Sequence, residues 1–201
     1  MLKLPLNYKI GDLAEKYEVS NRGPGYISSG ASWGDPGGDS YGSYQLETKK
    51  GTMQEYLQGD DRFINTLKKF KVNSLEFRAK WRQLAAEDEA GFEQSQFMYL
   101  SKKKRGAVEA LRYADQLGWS ANNFALQSAV FSTVNQSGGW RKGIFDKAGI
   151  KATDDIKTQI NKLYDARAAY FRSLTTLTPE IKRNIIQQRT VLERKDCLKL
   201  V

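Results

Sequence analysis

Apolar residues recur at helical spacing over most of the chain and lose that rhythm in one place. Ile10, Leu13, Ala14 and Tyr17 form an amphipathic run that stops at Glu18. Residues 52–57 read as a short helix. Asp60-Asp61 opens another, with Phe63, Ile64, Leu67 and Phe70 on one face and acids in the first turn, where the helix dipole favours them. Ser74 caps a start that leads through Phe77 and Trp81 to Ala86. Helices are expected over 89–101 and 103–117, with Phe92, Gln96 and Tyr99, then Ala107, Leu111 and Ala114, on their inward faces. Ser120 is the expected cap of a helix over 121–135. Residues 125–134 of that helix carry no charge, which marks it as the central buried one. Gln136-Ser137-Gly138-Gly139 ends it. Residues 154–171 are amphipathic, with Ile156, Ile160, Leu163 and Tyr164 inward. Thr178-Pro179-Glu180 combines a cap, a proline at the first helical position and an acid, and starts a last helix that can run to the C-terminus.

The rhythm fails between Tyr17 and Leu46. Seven of the seventeen glycines lie there, too many for a helix and enough for a built loop. Residues 25–28 and 39–45 could pair as a small hairpin. The expected fold is therefore mainly α, an α+β arrangement in which a helical bundle carries a small β-hairpin and loop lobe bearing the active-site cleft. Residues 1–201 are expected to form a single domain, with the glycine-rich lobe at about 19–46.

Composition narrows the chemistry. The chain has no histidine, which removes Ser-His-Asp and Cys-His catalysis and the histidine-bearing zinc sites. A lone cysteine, Cys197, can form neither an internal disulfide nor a thiolate cluster and reads as a small core residue. No metal and no cofactor is expected, and any hydrolytic chemistry would fall to carboxylates. The net charge of +9 implies attraction to polyanions, either nucleic acid or anionic envelope polymers. The basic pairs are scattered and no basic stripe is interleaved with aromatics, so no specific nucleic acid partner is expected. The N-terminal segment lacks the apolar core and cleavage site of a signal peptide, and no run is long enough to span a bilayer.

In the loop, Glu18 stands where the apolar run ends and is partly shielded, the setting of a general acid. Asp35 follows Trp33-Gly34 and precedes Pro36-Gly37-Gly38, which is also an ordinary turn signature. Asp39 reads as part of the turn. There is no Gly-Lys-Ser/Thr run entering a helix, so the glycines do not form a nucleotide-phosphate loop.

Glu18-Val-Ser-Asn-Arg-Gly, Ser32-Trp33-Gly34-Asp35-Pro-Gly-Gly and Ser40-Tyr41-Gly42-Ser43-Tyr44-Gln45-Leu46 together resemble the active-site segment of the goose-type lysozyme and lytic transglycosylase superfamily. Residues 127–138, Leu163-Tyr-Asp-Ala-Arg and Leu192-Glu-Arg-Lys-Asp-Cys-Leu resemble phage endolysins and tail- or secretion-associated wall hydrolases, with Ser137 where relatives often carry histidine. The resemblance implies a lysozyme-like fold and a muramidase cutting the β-1,4 bond between N-acetylmuramic acid and N-acetylglucosamine. It makes Glu18 the general acid and Asp35 the water-positioning or charge-stabilising carboxylate. Tyr41, Tyr44, Gln45, Gln136 and Tyr164 become substrate-binding residues. The rival readings are a lytic transglycosylase forming anhydro ends, a chitosanase-like hydrolase, and a non-catalytic basic module for wall polymer or nucleic acid.

The partner implied is bacterial peptidoglycan, met by a monomer. The C-terminal helix, which mixes Lys182, Arg183, Arg189, Arg194 and Lys195 with apolar residues, adds a candidate contact with anionic membrane or lipopolysaccharide. Synthesis in the cytoplasm is expected, followed by action in the periplasm or wall after holin release or delivery by a tail or secretion machine.

Overall fold

A computed structural model describes residues 2–4, 6–30, 38–104 and 106–201. It is mainly helical with three short strands, as the periodicity requires. The chain divides into two compact units: a central unit of residues 18–100, and a terminal unit formed by residues 1–17 and 101–201.

The central unit begins with a three-stranded antiparallel sheet in the order β1 (Ile27–Ser28), β2 (Ser40–Tyr41), β3 (Leu46–Glu47). Ile27 pairs with Tyr41, and Tyr41 with Leu46. The expected hairpin thus gains a third strand, because Leu46 is an apolar residue buried beside Tyr41. Four helices follow: α2 (Thr52–Tyr56), α3 (Arg62–Leu67), α4 (Leu75–Glu87) and α5 (Glu89–Lys102), the last running past the unit's end. Asp61 caps α3 by accepting from the Phe63 and Ile64 amides at 2.9 Å, and Ser74 caps α4 by accepting from Phe77 N at 3.1 Å. The core is an aromatic cluster. Trp81 meets Tyr41 at 5.1 Å and Phe92 at 4.7 Å between ring centroids, both edge-on, the arrangement that ring quadrupoles prefer.

The terminal unit opens on a 3-10 turn (Tyr8–Gly11) that feeds α1 (Asp12–Val19), whose last two residues belong to the central unit. Its other helices are α6 (Ala107–Gln116), α7 (Phe124–Gln136), α8 (Lys142–Ala148), α9 (Ile156–Ser173), α10 (Pro179–Ile185) and α11 (Glu193–Leu198). A π-helical segment, Ile186–Leu192, joins the last two without a break. All ten residues 125–134 of α7 are buried, as their lack of charge predicts. Leu111, Val130, Phe145, Ile160 and Leu163 share one apolar core with Leu13 and Cys197. Burial pushes the Cys197 thiol up to about 12, so it is a packing group and not a nucleophile.

Two expected boundaries move and one helix is added. Helix α6 begins at Ala107 and not at 103, because the chain turns first, with Gly106 N bonded to Lys103 O at 2.8 Å. Asn123, not Ser120, caps α7, accepting from Leu126 N at 3.1 Å. Ser120 is used in tertiary bonding instead: its amide donates to Gln159 Oε1 at 3.0 Å. Helix α8 was not expected, since a seven-residue element that buries only Ile144, Phe145 and Ala148 leaves almost no periodic trace.

Candidate functional site

Helix α1 stops because Ser20 and Asn21 both take left-handed backbone conformations, with φ of 55° and 56°. Glu18 is half-buried in its final turn. The chain then runs through β1 to Gly30, and Asp35 lies in residues 31–37, outside the described residues. The two stems of that loop are described and they touch: a side chain at Gly30 would collide with the Gly38 backbone. Asp39 locks this pinch. Its carboxylate accepts from Gly30 N at 3.1 Å and pairs with Arg78 of α4, while its carbonyl accepts from Thr48 N at 3.0 Å. The aspartate that reads as a turn residue is therefore the tie between the loop base and a helix.

Tyr41 is fully buried. Its hydroxyl donates to Asn73 Oδ1 at 2.8 Å, and burial pushes it up to about 12. Tyr44 is also buried. Gln45, half-buried with φ of 55°, accepts from Ser28 Oγ at 3.0 Å and so ties the β2–β3 turn to β1. Below the turn, Gln96 of α5 is completely buried. It accepts from Ser43 N at 3.1 Å and donates to Pro24 O at 3.1 Å, a carbonyl that Trp81 Nε1 also reaches at 2.8 Å. Gly42, with φ of 76°, lies so close to Gln96 that a side chain there would overlap it. Gln96 lies on the inward face expected of it, but its bonds to the loop, and the part played by Arg78, were not read from the sequence. The only signal was a polar glutamine on an otherwise apolar helix face.

Gln136 and Tyr164 belong to the terminal unit, where Arg167 brings them together. The Arg167 Nε donates to Gln136 Oε1 at 2.7 Å and its Nη1 to Glu193 Oε1 at 2.8 Å, while the Tyr164 hydroxyl donates to the same Glu193 oxygen at 2.7 Å. Arg189 closes the group, donating to Glu193 Oε2 at 2.7 Å, to Ser132 Oγ at 3.2 Å and to Tyr17 O at 3.2 Å. Burial raises the Glu193 carboxyl, but the Arg167 and Arg189 guanidiniums outweigh it and hold the group below the usual carboxylate range. Arg189 and Glu193 reach the interior from the π-helical segment and the turn after it. Asp165, next to Tyr164 in sequence, faces outward and pairs with Arg194. Among the described residues no cluster of three or more carboxylate or thiol side chains could hold a metal.

The geometry can do two things: present a pinned loop from the central unit, and hold a buried ionic cluster in the terminal unit. Comparison with known proteins then bears on the reading directly. The family model described as the type VI secretion system spike protein VgrG3-like, C-terminal, matches residues 10–194. The type VI secretion system spike protein VgrG3 of Vibrio cholerae serotype O1 is 30% identical over 193 residues, covering 92% of this chain and 19% of that protein. The chain thus spans about a fifth of the length of the relative it matches.

These matches overturn the resemblance to the goose-type lysozyme and lytic transglycosylase superfamily and to phage endolysins. With it go the muramidase function, its lytic transglycosylase and chitosanase-like rivals, the glycoside hydrolase class and the bacteriophage setting, none of which the matched family carries in its description. The misleading motifs were short glycine, aspartate and glutamine strings, and such residues recur wherever a chain makes tight turns. A match running from residue 10 to residue 194 includes the helical stretches on which those strings were silent, and it decides the assignment. The chain belongs to the VgrG3-like C-terminal family of type VI secretion system spike proteins.

Proposed function

We propose that this chain is a domain that a type VI secretion spike carries into the envelope of a target bacterium, where it binds peptidoglycan as a monomer. The family match over residues 10–194 carries the delivery half of this reading, since the Vibrio cholerae relative is itself named a spike protein. The net charge of +9 supports the polymer half, because peptidoglycan stems bear carboxylates. The proposed contact surface is the segment from Glu18 to Gln45, a loop whose base is pinned by Gly30, Gly38, Asp39 and Arg78. A loop held by a rigid frame is where recognition groups are best placed. In this reading Glu18, Asp35 and Gln45 accept from or donate to sugar hydroxyls, while buried Tyr41 and Tyr44 hold the frame.

The test is co-sedimentation of the full chain with purified peptidoglycan. Retention should weaken as salt rises, since exposed charges are screened within about 3 Å at 1 M salt. The double substitution Glu18→Gln/Asp35→Asn should lower retention by about tenfold, the equivalent of losing a charged hydrogen bond or two. Absence of retention at low salt sinks the polymer half. Failure of a spike bearing this domain to move it into neighbouring cells sinks the delivery half.

A further inference from the structure

Helix α9 ends beside Arg172, and the chain returns past it as α10 and the start of the π-helical segment. Arg172, Lys182, Arg183, Asn184, Ile186 and Gln187 line an open cavity of about 600 Å³ there. No carboxylate stands in the lining, and among the described residues no ion pair engages its three cations. Elsewhere in the unit Lys142, Lys162 and Arg194 each face an aspartate. Lys182 is held at the cavity by donating to Arg172 O at 2.9 Å, which leaves two of its three donors for a ligand.

We infer that this cavity binds the phosphate-bearing headgroups of an anionic membrane surface. Two guanidiniums offer forked donors that match phosphate oxygens, and three uncompensated cations suit clustered phosphates better than a single carboxylate. A membrane fits better than nucleic acid because the lining holds no aromatic ring on which a base could stack. It holds Ile186 instead, and the same stretch exposes Ile181, Val191 and Leu192 at 46%, 48% and 38%. Apolar groups interleaved with cations settle at the boundary between headgroups and acyl chains. Among the described residues no helix is long and apolar enough to cross a membrane, so the contact is peripheral.

The inference stands apart from peptidoglycan binding and is tested separately, by co-sedimentation of the full chain with phosphatidylcholine vesicles with and without phosphatidylglycerol. The wild-type chain should bind only the anionic vesicles. The substitution pair Arg172→Gln/Arg183→Gln should lower apparent affinity by about tenfold, whereas Lys147→Gln/Lys157→Gln, which removes equal charge from the same unit, should change it by less than about twofold. Lys182→Gln provides a milder third variant, expected between the two, and thermal unfolding checks that each variant is folded. Equal losses in both pairs would mean unspecific attraction and overturn the inference. So would unchanged vesicle binding in the cavity pair, whether or not that pair had lost affinity for duplex DNA. Inorganic phosphate supplies the last arm: if it binds the cavity while anionic vesicles do not, the site is for the free anion and the membrane assignment fails.

Discussion

In the central unit the largest fully buried side chains are Trp81, Tyr41, Tyr56, Phe77, Phe92 and Phe97, whereas the terminal unit buries Arg167, Arg189 and Glu193 beside Tyr164. The first core is held by area and ring contacts, which tolerate small displacements. The second has an apolar core of its own and adds to it directional bonds that converge on one carboxylate from α9, the π-helical segment and, through Ser132, α7. Buried charges are costly to desolvate and stabilise little net, but removing one partner leaves the others buried without compensation. The ionic core therefore sets how three helical segments register, and the aromatic core supplies burial.

Breaking the ionic core should give the largest effect. Glu193→Leu leaves two guanidiniums without their shared carboxylate and should destabilise the terminal unit by about 3–5 kcal/mol, read by urea unfolding through Trp119 and Trp140 fluorescence. The triple change Arg167→Met/Arg189→Leu/Glu193→Leu should recover most of that loss. If it stays as unstable as the single variant, uncompensated charge is not the cause.

Acid should act on the same group. The Glu193 carboxyl is depressed in the folded state, so its stabilisation is present above the unfolded value of about 4.3 and disappears as pH falls through its lower folded value. The terminal unit should accordingly lose more stability than its Glu193→Leu variant as pH falls below about 4.3.

Trp81→Phe probes the other core. It removes the indole N–H from Pro24 O, which keeps its bond from Gln96, and opens some volume, so a loss of about 1–3 kcal/mol confined to the central unit is expected. Asn123→Ala should cost about 1 kcal/mol by uncapping α7. Asp165→Asn, on an outward-facing pair with Arg194, should stay within about 0.5 kcal/mol in the same unfolding assay. A larger change would place Asp165 inside the ionic core, against the geometry.

Legibility followed the range of the interactions. The Ser74 and Thr178 starts could be read because a cap and the amide it satisfies are three residues apart. Asn123 was missed because Ser120 is equally able to cap, and its bond to Gln159, far along the chain, took it out of use. Asp39 looked like a turn residue because its partner, Arg78, is thirty-nine positions away. Arg189 counted among the basic residues of a helix expected to meet anionic membrane, and its spacing of four from Glu193 shows that the two can pair but not that the pair is buried against Arg167 and Ser132. The pinned loop was visible as a glycine cluster, but what pins it was not.

By itself the sequence determined the mainly helical class, most helix positions, the burial of α7, the break between Tyr17 and Leu46, and the surplus of positive charge. These depend on spacing and local chemistry, which a linear chain displays in full. Only the tertiary structure decided which charges go inside, which glycines touch across the loop base, and which cations are left facing an open cavity. Those outcomes depend on pairs far apart along the chain, whose cost or gain exists only once folding has removed the water between them.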